Sequence, residues 1–202
     1  MRTPPILMIV LMGALAVSPV LANQIVLSTG YAHSQQPKAS GFVVDRFFDA
    51  GSGYAVGARL DLESPIFCFG PSFLFWNNVT GSPDPDRNSN YFQIELGGRF
   101  SVQTNTIPAL YAGMGAGYSI ARGDIRARFA DLGGEYSFDG EFPTASIHVG
   151  AKAPTRTAGL GLLAEASYHF GLDNATGIEA IGPAEAWTIQ IGVSLDTHLS
   201  KE

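Results

Sequence analysis

Eight stretches of alternating apolar and polar residues are joined by connections that run long, short, long, short along this chain. The long ones span 35–53, 77–90, 121–141 and 171–186; the short ones span 63–65, 103–106 and 154–158. In an up-and-down antiparallel chain, consecutive connections fall at opposite ends. All the long ones therefore gather at one end and all the short ones at the other. A soluble β-sandwich has no physical reason for that asymmetry. An outer-membrane barrel has one, because its periplasmic turns are short and its extracellular loops long. The rhythm predicts an all-β fold, an eight-stranded antiparallel up-and-down transmembrane β-barrel over 23–196.

The N-terminus fits export. Met1-Arg2 forms a small positive region, Ile6–Val17 is apolar, and Ser18-Pro19-Val20-Leu21-Ala22 ends in small residues. The apolar run falls short of the ~20 residues that cross a bilayer as a helix. Residues 1–22 therefore read as a cleaved signal peptide, with the barrel following and 197–202 forming a periplasmic tail. Once Arg2 is removed, 11 Lys and Arg remain against 18 Asp and Glu, a net charge of −7. An acidic chain without a basic cluster argues against nucleic acid as a partner. The single Cys68 excludes an intramolecular disulfide framework and reads as a small packing residue.

The two faces of each stretch differ in a consistent way. Phe92, Ile94, Leu96, Phe100 and Val102 share one side of the fourth stretch, and Gln93, Glu95, Gly97, Arg99 and Ser101 share the other. The eighth sets Trp187, Ile189, Ile191, Val193 and Leu195 against Thr188, Gln190, Gly192, Ser194 and Asp196. The seventh sets Leu162, Ala164, Ala166, Tyr168 and Phe170 against Leu163, Glu165, Ser167 and His169. In the remaining stretches Arg59, Asp61, Glu63, His148 and Lys152 join the polar side. The bulky, aromatic side is free of charge, while the polar side is interleaved with glycine and small residues. That arrangement suits a lipid-facing band around a narrow polar lumen. Aromatics near the strand ends, Tyr31, Tyr54, Tyr91, Tyr118, Tyr168 and Trp187, are expected to form an interfacial girdle. With the N-terminus in the periplasm, all four long connections become extracellular.

The segment Pro108-Ala-Leu-Tyr-Ala-Gly-Met-Gly-Ala-Gly-Tyr-Ser119, followed by a long connection and two glycine-containing strands, resembles the small eight-stranded outer-membrane barrels. That is the OmpA/OmpX-like, porin-family β-barrel domain. Gln190-Ile-Gly192-Val-Ser-Leu195 resembles the family's last-strand assembly signal, although the strand ends at Leu195 rather than on an aromatic residue. The resemblance implies a bacterial outer-membrane location and contact with the barrel assembly machinery during biogenesis. A lipid A deacylase shares this layout and places a serine two residues after a strand histidine. Here Tyr168-His169-Phe170-Gly171 puts glycine there, and Ser167, which precedes the histidine, does not restore the motif.

The lumen candidates are Arg59, Asp61, Glu63, Gln93, Glu95, Arg99, His148, Lys152, Glu165, His169 and Gln190. Both signs of charge are present, and eight strands enclose a space that side chains just fill. An interior network of ion pairs and hydrogen bonds is the expectation. A His148/Glu165/His169 cluster could in principle do acid–base work or bind zinc; hydrogen-bonded lumen histidines are favoured over either, and no cofactor or metal is expected. Gly159-Leu-Gly161-Leu-Leu-Ala164 matches a dinucleotide fingerprint without the strand–helix setting that gives it meaning. Asp84 to Glu95 echoes a calcium loop, but Ser89 stands where glycine is required.

Two connections carry unusual sequence. Phe42-Val43-Val44-Asp45-Arg46-Phe47-Phe48 is apolar for an exposed segment, and Arg122, Arg126 and Arg128 sit beside Asp124 and Asp131. Arginines there could contact lipopolysaccharide phosphates. The expected role is that of a monomeric, non-enzymatic structural or surface-interaction protein, with lipid, lipopolysaccharide and an unknown extracellular ligand as partners. A narrow channel for ions or small solutes is the alternative, and a lipid A-modifying enzyme a third reading.

Overall fold

The computed structural model describes residues 24–34, 51–63, 67–80, 87–102, 108–129, 132–157, 159–172 and 185–197. Residues 1–22, expected to be a signal peptide, the apolar segment 42–48 and most of the expected tail lie outside them. Eight strands form one closed barrel in which each pairs antiparallel with its chain neighbour and β8 returns to β1. They are β1 (Gln24–Ser34), β2 (Gly51–Glu63), β3 (Phe67–Thr80), β4 (Arg87–Val102), β5 (Ala109–Phe129), β6 (Leu132–Pro154), β7 (Leu160–Gly171) and β8 (Ala186–Asp196).

The polarity of this barrel is the reverse of a soluble one. Met114, Ile191 and Phe100 are 70%, 66% and 61% exposed on the outer face, whereas Arg99, His148 and Glu95 are 2%, 3% and 4% exposed inside. In water, so many bare apolar side chains around a charged core would reverse the hydrophobic term that drives folding. In a bilayer the same arrangement is stable, since lipid covers the outer band and the closed ladder satisfies nearly all of the strand backbone. Closure also removes the exposed edges that an open sheet would offer to other chains.

The connection 121–141 is not a loop. β5 and β6 stay paired from Ala121 opposite Gly140 to Phe129 opposite Leu132, which makes them strands of 21 and 23 residues. Likewise β3 and β4 remain paired from Asn77 opposite Asn90 to Thr80 opposite Arg87. Alternation marks a strand only where it records a contrast between two environments. Beyond the bilayer no lipid imposes that contrast, so the pattern fades while the hydrogen-bonded ladder continues. At the opposite end the β6–β7 turn is short. Thr155 N–H donates to the Leu160 carbonyl at 3.0 Å, and Gly159 has φ of 75°, a left-handed conformation that glycine adopts without steric cost.

One expected girdle residue is misplaced. Tyr91 is 1% exposed and faces the lumen, stacked on Trp76 with ring centroids 5.0 Å apart and planes 7° from parallel. Strict parity from Phe92 and Ile94 points Tyr91 inward; nearness to a strand end was the wrong criterion. The other five do lie outward, toward the long-connection end. Tyr31, Tyr54 and Trp187 are about half exposed. Tyr168 packs on Trp187 at 4.4 Å and donates from its hydroxyl to Glu185; Tyr118 donates to Glu141 at 3.3 Å. Phe67 packs against Phe69 and Phe100 at the other end, at 6.3 and 4.9 Å.

Candidate functional site: the lumen network

Glu165 on β7 is the hub of the interior. Its Oε2 accepts from Arg59 Nη1 at 2.8 Å, from Tyr111 Oη at 2.8 Å and from Arg99 Nε at 3.3 Å. Its Oε1 accepts from Ser167 Oγ at 3.2 Å and stands 3.3 Å from His148 Nδ1. Strands β2, β4, β5, β6 and β7 thus converge on one carboxylate. Arg59 also donates from Nε to Asp61 Oδ2 at 2.8 Å.

The second carboxylate, Glu95 on β4, takes a hydrogen bond from Gln93 Nε2 at 2.9 Å and another from the Ser146 hydroxyl. His148 Nε2 lies 2.8 Å from Glu95 Oε1, and His148 Nδ1 lies 2.9 Å from Ser167 Oγ. His148 therefore bridges two buried carboxylates, one through each ring nitrogen. Carboxylates only accept, so an imidazolium would donate to both sides. It would also bring Arg59, Arg99 and His148 into balance with Asp61, Glu95 and Glu165. Such pairing is what low-dielectric surroundings demand, because an uncompensated buried charge is strongly destabilising.

The remaining predicted residues separate into smaller groups. His169 sits 3.3 Å from Thr188 Oγ1, with its ring 5.5 Å from Trp76 and 6.0 Å from His148. It belongs to an aromatic layer above the ion pairs rather than to a dyad with Glu165. Gln190 accepts from Ser28 Oγ at 2.6 Å. Lys152 donates to Gln24 at 2.8 Å, and Gln24 donates to Asp196 at 2.7 Å, a relay near the short-turn end. The side chain of Glu63 lies outside the described residues; its backbone is paired with Cys68.

The sequence reading missed Tyr111, Trp76, Ser146 and Gln24 as members of this interior. Parity alone locates Tyr111, since Leu110 and Ala112 point outward. Gly150, its cross-strand partner, makes room for the ring: a Cβ there would stand 2.4 Å from Tyr111 Cζ. Tyr111→Phe keeps the ring and deletes the donor to Glu165. Unfolding in lipid vesicles followed by gel mobility is expected to show a loss of roughly 1.5–3 kcal/mol, the scale of a hydrogen bond to a charged group. Gly115 is similarly constrained, because a Cβ there would stand 1.9 Å from Glu95 Oε1. With Glu95 held by three partners, Gly115→Ala is expected to destabilise by at least about 1 kcal/mol in the same assay, as overpacking does.

Among the described residues, the space left beside this network is small. An internal cavity of about 30 Å³, bordered by Arg59, Ser72, Glu95, Arg99 and Glu165 among others, accommodates one or two waters. Of the calcium-loop echo, Asp84 and Asp86 lie outside the described residues, while Asn88 and Asn90 are in the β3–β4 ladder and Glu95 lies against His148; in the dinucleotide echo, Gly161 belongs to β7, a strand and not a helix N-terminus.

Comparison with solved structures agrees with this fold. The backbone is similar to that of Neisserial surface protein A, with a TM-score of 0.57, 14% identity, and coverage of 87% of this chain and 97% of that one. It is also similar to Ail, the attachment invasion locus protein of Yersinia pestis, solved with the heparin analogue sucrose octasulfate. There the TM-score is 0.51 at 17% identity, over 85% of this chain and 98% of that one. Both are small eight-stranded outer-membrane barrels, and the fold of this chain is of that class. No protein-family model and no curated protein sequence matches the chain.

Proposed function

We propose that this protein is a bacterial outer-membrane barrel with a lumen plugged along its axis that acts through its long-connection end as a structural or surface-interaction protein. The observation that carries the reading is the pairing of an exposed apolar outer band with buried, mutually compensated charges inside. The interior is a plug: five strands are tied to Glu165, leaving water-sized space. The extended β5–β6 hairpin and the long connections remain as the surface offered to the outside, with lipid and lipopolysaccharide around the barrel. The names of the two similar proteins, a surface protein and an attachment invasion protein, are in keeping with such a role.

The plugged lumen also argues against catalysis inside the barrel. Ser146 and Ser167 both donate to buried carboxylates and are themselves buried, and each also lies within hydrogen-bond distance of His148, at 2.8 and 2.9 Å. A narrow channel would need the Arg59, Arg99 and His148 contacts to part. Reconstitution into planar bilayers separates the readings. The refolded protein is expected to give no steady single-channel conductance; a stable open level would overturn the plug and favour the channel.

A further inference from the structure

Seven of the eight strand-to-strand ladders run without interruption through the described residues, and the one between β2 and β3 does not. It stops after Arg59 opposite Ser72 and resumes at Leu62 opposite Phe69. The register is the same on both sides, so the gap is not a bulge. Pro71 explains it. In that register Leu60 faces Pro71 and Asp61 faces Gly70, and proline has no N–H to give to the Leu60 carbonyl. That carbonyl lies over Gly70, where a Cβ would stand 1.8 Å from it. Pro71 still pairs with Leu96 on its other side, so the defect is confined to the β2–β3 seam. A second gap, between Ser52 and Ala55, has no proline, and we have no physical account of it.

The break matters because of what lies on either side of it. Outside, Leu62, Phe69 and Phe73 are exposed in the apolar band, where an undonated carbonyl costs several kcal/mol. Inside, the internal cavity is bordered by Arg59 and Ser72, the last pair before the gap. Asp61, which pairs with Arg59 but does not border the cavity, has its Oδ1 buried without a hydrogen-bond partner. A single backbone layer, short of the hydrogen bond that Pro71 cannot give, thus separates the bilayer from the Arg59–Asp61 pair.

The geometry points to the β2–β3 seam as a lateral opening in the barrel wall. Leu60 and Asp61 part from Gly70 and Pro71 and admit water-sized polar molecules from the membrane side to the internal cavity. In the other seven ladders such a separation breaks paired backbone hydrogen bonds; at this point of the β2–β3 seam the proline has already removed one bond that would resist it. The opening rests on the membrane-barrel reading above.

The test uses the full barrel refolded in micelles, with its heat-dependent gel shift checked first, so that failure of the barrel and failure of the seam are distinct results. Residue-resolved amide exchange is expected to be at least tenfold faster at Leu60, Leu62 and Phe69 than in the β3–β4 and β6–β7 ladders of the same apolar band. Pro71→Val supplies the missing N–H and should slow those amides at least tenfold without altering β6–β7. A second readout places a thiol at the cavity, Ser72→Cys in a Cys68→Ser background, and follows its modification by methyl methanethiosulfonate. Adding Pro71→Val should slow that reaction at least tenfold. Exchange in the parent barrel no faster at the seam than in the other ladders overturns the opening, as does equal labelling with and without the proline. Should the valine variant not fold, the parent comparison decides alone.

Discussion

Replacing Glu165 with Gln is expected to lower the unfolding free energy of the barrel by about 3–5 kcal/mol, the usual consequence of removing one partner from a buried ion-pair network. The substitution keeps the side-chain volume and removes the charge. Arg59, Arg99 and His148 would then share only Asp61 and Glu95, and Tyr111 would lose its charged acceptor. Urea titration in lipid vesicles, read by tryptophan fluorescence and gel mobility, measures the change. Glu95→Gln should be milder, because Glu95 is paired only with His148, whereas Glu165 is paired with Arg59 and Arg99 as well. A loss below about 1 kcal/mol at Glu165 would mean that the hub is solvated and that the lumen is not a plug.

The second large effect tests the direction in which the strands face. Ile191 lies in the middle of β8 and is 66% exposed on the outer band, while Gln190 is buried beside Ser28. Ile191→Arg places a charge against hydrocarbon, at a cost of roughly 2–4 kcal/mol near the bilayer midplane, and should block assembly. Gln190→Arg puts the same charge inside, directly across from Glu165, its cross-strand partner, and should still yield folded barrel. Assembly yield in outer-membrane fractions gives the comparison. Equal damage from the two substitutions would contradict the assignment of faces.

These predictions turn on features of unequal visibility in the sequence. Period-two alternation locates all eight strands and assigns inward and outward faces, because lipid and lumen impose opposite demands on neighbouring residues. Where that contrast ends, legibility ends with it. The paired continuation of β5 to Phe129 and of β6 from Leu132 reads as a loop when judged by hydrophobicity alone. Tyr91 shows the converse failure, an aromatic judged by position instead of parity.

Within the lumen, the sequence identifies the charged residues but not how they are grouped. Arg59 and Glu165 are 106 residues apart, and their contact depends on how far each strand slides past the next around the closed sheet. For the same reason a His148/Glu165/His169 cluster is suggested by facing alone. The structure instead ties His148 to both carboxylates and moves His169 into the aromatic layer with Trp76 and Tyr91. The Pro71 defect is present in the sequence as one residue. Its consequence becomes visible only when β2 is laid beside β3 and Leu60 is found opposite it.

Heat-dependent gel mobility of protein from outer-membrane fractions decides whether this chain is an inside-out barrel in the outer membrane. Such a barrel gives a compact, fast-migrating band in unboiled samples that shifts to the unfolded position on boiling. Recovery in the soluble periplasmic fraction, with the same mobility before and after boiling, would mean that it is not one.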